Sequence, residues 1–197
     1  MAYATPTEVL ERMGQSDVTG GVLFNAVSAA LDAATVAIDL DTDRTFTAST
    51  GARTFATSGT STMDLPDFTA VTSVKLDDDD DGVFEVTVPA SDYELDRSAT
   101  ERPDWPFDTI RLLDRCFPYG GRRRLRVEVT ATWGWAAVPP GINQACSLLV
   151  VRLAQRAQAP LGVVSFGDIG SANIRNSDPD YVALIHPYDR RRYTGFA

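Results

Sequence analysis

Apolar positions change their period twice along this chain. Up to about residue 40 they recur at intervals of three and four: Leu23, Val27, Ala30, Leu31, Ala34 and Ile38 form one stripe of a helix that follows Thr19-Gly20-Gly21. A shorter helix precedes it. Thr5 and Glu8 have capping-box spacing, Pro6 stands at the first helical position and Gly14 follows the last turn, which predicts a helix over 6–13. From Arg44 the period becomes two. "RTFTA", "ARTFAT", "TMDLP", "AVTSVKL", "VFEVTV", "DYEL", "DTIRLL" and "RLRVEVTATW" are short β-branched or aromatic runs separated by Gly, Pro, Asp and Ser, the pattern of an antiparallel sandwich or small barrel. Helical spacing resumes with Ile142, Ala145, Cys146, Leu149, Leu153 and Ala157 after Pro139-Pro140, and stops at Pro160 and Gly162. A glycine-rich stretch, "GVVSFGDIGSANIRNSD", leads to Asp178-Pro179, the expected cap and first turn of a last helix over "DYVALIH" that Pro187 ends.

Neither long helix can bury its stripe alone, so the two are expected to pack on each other with the β block inserted between them in the sequence. "TWGWAAVPP" is then the return seam: Gly134 permits a tight path between two large indoles, and the prolines start the next helix without a linker. The predicted fold class is α+β, a small helical bundle with a large inserted antiparallel β-sandwich or barrel-like domain and a C-terminal tail. Its expected divisions are 1–43 with 136–160 for the helical core, 44–135 for the β domain, and 161–197 for a Gly-rich linker and tail. The tail's short apolar side is too small to be stable alone, which predicts that it orders on a partner.

A chain of 197 residues, 44% of them hydrophobic, supports one sizeable domain or two small ones. No continuous apolar run has membrane-spanning length, and "MAYATPTEVLERMG" lacks a signal's basic start and apolar centre; a soluble chain without a membrane partner, intracellular at synthesis, is expected. Cys116 and Cys146 lack metal-ligand spacing and read as packed thiols. Charge is segregated. Between Met63 and Arg111 fourteen acidic residues stand against Lys75, Arg97 and Arg102, a net −11 in a chain whose total is −9. Arginines cluster at "GRRRLR" (121–126) and "DRRRY" (189–193). Two short clusters on a net acidic chain do not make the broad basic face of a general nucleic-acid binder.

Candidate chemistry is sparse. In "KLDDDDDGVFEV", Asp77, Asp79, Asp81 and Gly82 match the first half of a calcium loop, but Val88 stands where the bidentate glutamate belongs and no helix is predicted to flank it. The alternative is a hairpin turn at Asp81-Gly82 with a solvated acidic tip. His186 is the one histidine, no serine or cysteine sits in a nucleophile elbow, and Asp92, Glu94 and Asp96 read as one exposed strand face. "YGGRRRL" lacks the Lys-Ser/Thr of a phosphate loop. A non-enzymatic protein without a cofactor is expected. For "GRRRLR" a plain hairpin turn and a contact to phosphate or an acidic partner both remain open.

The order of elements, with "SDYEL", "DWPFDTIRL", "TATWGWAAVPPGINQAC" and the terminal "DPDYVALIHPYDRRR", resembles the head-tail connector, or head completion adaptor, proteins of long-tailed bacteriophages. The resemblance covers most of the chain, with Val129 to Cys146 its most specific part; the β insertion exceeds that of minimal adaptors. It implies a structural protein of the virion neck: a homo-oligomeric ring of about twelve copies beneath the portal protein, prolonging a channel through which packaged DNA passes without sequence-specific contact, and a platform for a downstream neck or tail-completion protein. On this reading Tyr181, Leu184, Ile185, Tyr188, Arg190, Arg191 and Arg192 bind the portal, and Arg152 and Arg156 lie in the ring interface. A β-sandwich carbohydrate- or surface-binding accessory protein is the alternative, and a carboxylate hydrolase a third reading that lacks a visible pocket.

Overall fold

The computed structural model of the chain describes residues 2–15, 20–119, 125–158, 163–165, 171–173 and 178–193. The chain divides into two compact units, Met1–Arg44 with Val138–Arg192, and Thr45–Ala137 with Tyr193. Asp178 to Arg192 thus belongs to the helical unit and is not a tail apart from it.

The helical unit is built from α1 (Pro6–Arg12), α2 (Gly21–Thr42), α3 (Pro140–Gln158) and α4 (Pro179–Ile185). The capping box predicted for α1 is complete: Glu8 N–H donates to Thr5 Oγ1 at 3.2 Å, and Thr5 N–H donates to Glu8 Oε2 at 2.7 Å. Helix α2 packs on α3, which buries the first part of the predicted α3 stripe and, in place of Leu149, Val150; Leu149 and Leu153 stay half-buried. Val27, Leu31, Ala34 and Ile38 are buried on α2, and Ile142, Ala145, Cys146 and Val150 on α3. Helix α2, with a mean hydropathy of 1.6 over an 18-residue window, is long and apolar enough to cross a membrane. The reading from unbroken apolar runs missed this, because Asp32 and Asp39 interrupt the run without lowering the average enough. Two short strands, β7 (Val163–Ser165) and β8 (Ser171–Asn173), pair antiparallel within the stretch expected to be a linker.

The second unit holds one antiparallel sheet of six strands: β1 (Ser49–Ala56), β2 (Thr62–Leu76), β3 (Val86–Val88), β4 (Tyr93–Asp96), β5 (Phe107–Leu112) and β6 (Leu125–Trp133). The order is β1-β6-β2-β5-β4, with β3 also on β2. It is an open sheet, neither the sandwich nor the closed barrel that the alternation suggested. The fifteen-residue β2 explains the difference. It joins "TMDLP" and "AVTSVKL", read as separate strands because Pro66 lies between them. The register with β5 shifts between Asp64 and Phe68, and a bulge there tolerates the proline. Along one edge β2 pairs β6 throughout its second half; along the other it pairs β5 and then β3. Its inward side chains meet those of β3, β5 and β6 in a single cluster centred on Phe68, Ile110, Val129 and Trp133.

The Trp-Gly-Trp seam closes this unit on itself. Trp133 ends β6, donates from Nε1 to Gly51 O at 2.8 Å and lies beneath the Arg53 guanidinium, 4.6 Å from its ring centroid. Gly134 has φ +86°, and a Cβ there would stand 2.1 Å from Thr47 O, so only glycine fits. The Trp135 ring packs against Phe46 and Trp105 at centroid distances of 5.2 and 5.1 Å. The buried Asp67 fixes the corner twice: its carbonyl accepts Gly134 N–H at 2.6 Å, and its Oδ2 accepts Trp135 Nε1–H at 2.6 Å.

Candidate functional site

Two places gather the residues singled out by sequence: the acidic loop of the β unit and the terminal segment of the helical unit.

Strands β2 and β3 form a hairpin in which Leu76 faces Val86, so the acidic run is part of a nine-residue loop, 77–85, and not a two-residue turn. Asp78, Asp79 and Asp81 are exposed, as a solvated tip requires, but the first residue of the run is not. Asp77 is fully buried; its Oδ1 accepts Asp80 N–H at 2.7 Å and its Oδ2 accepts Gly82 N–H at 3.0 Å. Its backbone is held by Arg126, whose carbonyl accepts Asp77 N–H at 3.0 Å and whose Nε–H donates to Asp77 O at 2.8 Å. Asp80 adopts φ +67°, and Asp78 pairs with Arg115 at 2.7 Å. Carboxylate oxygens of Asp77, Asp79, Asp81 and Glu85 all lie within 4.8 Å of one another. Glu85 stands at the ninth position of the loop, where the calcium-loop pattern does not require a glutamate, so the sequence pattern alone does not single it out. The four carboxylates are of the hard-oxygen kind that takes a divalent cation; no helix flanks them.

At the chain's end, Asp178 caps α4 by accepting Asp180 N–H at 3.0 Å, with Pro179 in the first turn. The short helix finds its partner within its own unit. Ile185 is buried, and Tyr181, Leu184 and Tyr188 are half-buried. Tyr181 Oη donates to Asp41 Oδ2 at 2.7 Å; burial, reinforced by Asp41, pushes the phenol well above its usual value and keeps it a neutral donor. Arg44 Nε–H donates to Tyr188 O at 2.9 Å, and Arg152 pairs with Asp178 at 3.3 Å. The expectation of a tail ordered only by a foreign partner is therefore corrected: α2 and α3 supply the apolar and polar partners that a seven-residue helix needs. Arg191 and Arg192 are exposed, and Arg190 is half-buried. Arg191 donates to Asp41 O at 2.9 Å and to Asp189 Oδ1 at 2.9 Å. The Arg191 guanidinium bonded to Asp189 holds that carboxyl below its usual range.

Arg152 lies on α3, half-buried and tied to Asp178; Arg156 lies on the same helix, its side chain outside the described residues. Arg122, Arg123 and Arg124 of the first arginine cluster also lie outside them. The cysteines differ from each other, against the expectation of two packed thiols: Cys116 is exposed, whereas Cys146 is buried and burial pushes its thiol up to about 11. Asp92 is half-buried, and Glu94 and Asp96 are exposed; the latter two bracket Arg111 at 2.7 and 3.3 Å. An open cavity of about 400 Å³ is lined by Thr57, Ser58, Thr60, Thr62, Asp64 and Phe117 among others. Among the described residues that line it, Asp64 is the one carboxylate, and no second acid or base there completes a general acid/base pair. His186 is exposed and lies 3.1 Å from the Arg192 guanidinium.

No protein-family profile matches the chain, and no curated protein matches it. Solved structures do. A chain in the neck of an empty gene transfer agent (GTA) particle, computed with C6 symmetry, aligns with a TM-score of 0.59 at 24% identity over 93% of this chain and 87% of that one. A chain in the virion of the native gene transfer agent particle aligns equally well, with the same figures. A chain in the native GTA neck computed with C12 symmetry aligns with a TM-score of 0.52 at 24% identity, covering 94% of this chain and 91% of that one. At this identity the likeness establishes a common fold, spanning both units.

Proposed function

We propose that this chain is a structural, non-enzymatic head-to-tail adaptor of a tailed bacteriophage or phage-like particle. It acts in the virion neck as one subunit of a ring beneath the portal. The observation that carries this reading is the fold shared over 93% of the chain with chains of GTA neck assemblies. The ring, of about twelve copies, extends the DNA channel and offers a platform to the next neck protein. DNA passes without sequence-specific contact.

The portal-facing element in this reading is the terminal segment. With Ile185 buried and Tyr181 bonded to Asp41, the groups best presented to a partner are the exposed Arg191 and Arg192 beside Arg190, which suit acidic portal residues. Leu184, Ile185, Tyr181 and Tyr188 act by holding that segment in place. Many copies binding one ring turn weak single contacts into a firm attachment. The experiment is to mix the protein with purified portal rings of its own particle and image the product. The expected result is a second ring capping the portal, lost in an R190E/R191E/R192E variant and weakened by salt. Portal rings that stay bare with the intact protein refute the proposal.

A further inference from the structure

Helix α2 has a second apolar face that its own unit does not use. Val22, Ala26, Ala29, Ala33, Val36 and Leu40 follow one another at intervals of four and three, and all six are exposed. The three large ones are 89%, 58% and 75% accessible, although the opposite stripe through Val27, Leu31, Ala34 and Ile38 is fully packed. An alternation of four and three is a repeat of 3.5 residues, the spacing at which one helix meets another along a seam, and the stretch from Val22 to Leu40 carries it for roughly 27 Å. The three alanines in its middle let a partner helix approach closely.

Charge narrows the identity of that partner. The charged residues of α2 are acidic (Asp32, Asp39 and Asp41) and those of α3 basic (Arg152 and Arg156); Asp39 and Asp41 already accept Tyr3 and Tyr181, and Arg152 is shared with Asp178, so Asp32 is the exposed charge that α2 offers a neighbour. An acidic helix is poorly suited to DNA or an anionic lipid surface. It suits a basic, apolar helix, and α3 is one: beyond its buried stripe it has Leu148, Leu149, Val151 and Leu153 only half-buried. One chain thus carries both halves of a complementary pair on different helices. A contact between unlike faces of identical chains is head-to-tail, the kind that closes into a ring, and chains of this fold occur in assemblies with C6 and C12 symmetry. We infer that the outer face of α2 is the seam between neighbouring copies, received by the α3 side of the next copy. This rests on the adaptor reading and replaces single arginines as its ring contact with a whole helix face.

The test uses the full chain with V36E and L40E, both at exposed positions that leave the packed stripe untouched, and with A33C in a C116S background. Copies per portal ring are counted by mass photometry, and self-association without portal is followed by sedimentation. Circular dichroism and melting checks that each variant is folded. The expected outcome is that V36E/L40E melts like the wild type but its ring assembly weakens by about tenfold or more, and that A33C under mild oxidation gives no disulfide dimer, since in a head-to-tail seam α2 does not face α2. Complete rings from the folded double variant overturn the seam and leave the adaptor reading standing. A33C dimers overturn it in favour of a two-fold contact, and normal self-association with failed portal capture shows that the face docks the portal instead. Loss of self-association in the variant, from a wild type that never binds portal, upholds the seam and refutes the adaptor reading.

Discussion

Gly134 and Asp77 are positions where the fold tolerates little change, for different reasons. At Gly134 a methyl group would meet Thr47 O at 2.1 Å on a backbone with φ +86°, so G134A adds a left-handed penalty to a clash with immovable main chain. A loss of more than about 2 kcal/mol is expected in urea unfolding. Asp77 accepts two backbone N–H groups with both oxygens. In D77N one of those donors faces an amide N–H₂, which costs about 1–3 kcal/mol, while D79N and D81N, at exposed carboxylates, stay within about 0.5 kcal/mol. Equal effects from all three would contradict a buried head to the loop. Thiol chemistry separates the cysteines: at pH 8 the exposed Cys116 reacts with a disulfide reagent, and Cys146, its thiol pushed up to about 11, reacts only after unfolding.

At the scale of the element, α1 and α4 are each seven residues long, too short to persist without caps and packing. In α1 the Thr5 N–H holds the Glu8 carboxyl below its usual 4.5. A depressed folded value means that the stabilisation is present above the unfolded value and fades as pH falls through the folded one. E8A should therefore lower the melting temperature at pH 7 and have a vanishing effect near pH 2; a constant difference at both pH values would show that the carboxylate's charge plays no part. For α4, I185A removes a buried side chain and should cost about 2 kcal/mol. Truncation after Asn176 should destabilise the helical unit as well as disable any docking. The reason is that Tyr181, Arg191 and Asp178 are bonded to α2 and α3.

On the scale of the molecule, each unit has its own core, and the chain passes between them at Arg44/Thr45 and Ala137/Val138. A chain in which residues 45–137 are replaced by a short flexible linker is expected to keep the helical signal of α2 and α3 and to unfold cooperatively. Collapse of that signal on excision would mean that the helices depend on the sheet. The acidity of the β unit need not destabilise it at neutral pH, because Arg126, Arg115 and Arg111 stand against the carboxylates of Asp80, Asp78, Glu94 and Asp96.

Several features were written in the sequence by itself. The period of apolar residues marked the four helices and the β block between them, although "RTFTA" (44–48) forms no strand and β7 and β8 carried no such signal; Thr5, Glu8, Pro6, Asp178 and Pro179 marked helix starts that the structure reproduces; the Trp-Gly-Trp run marked a tight corner. Each depends on residues within a turn or two of one another, so local backbone preferences suffice to express it. Other features needed the tertiary structure. That Pro66 lies inside one long strand, that the sheet stays open, that Asp77 is buried while Asp79 is not, and that Glu85 joins the acidic loop are consequences of how β2, β3, β5 and β6 pair. The docking of α4 brings Tyr181 to Asp41, 140 positions away. The packed stripe of α2 through Val27, Leu31, Ala34 and Ile38 was legible in the sequence; that a second apolar face through Val22, Val36 and Leu40 stays exposed depends on where α3 lies and was not.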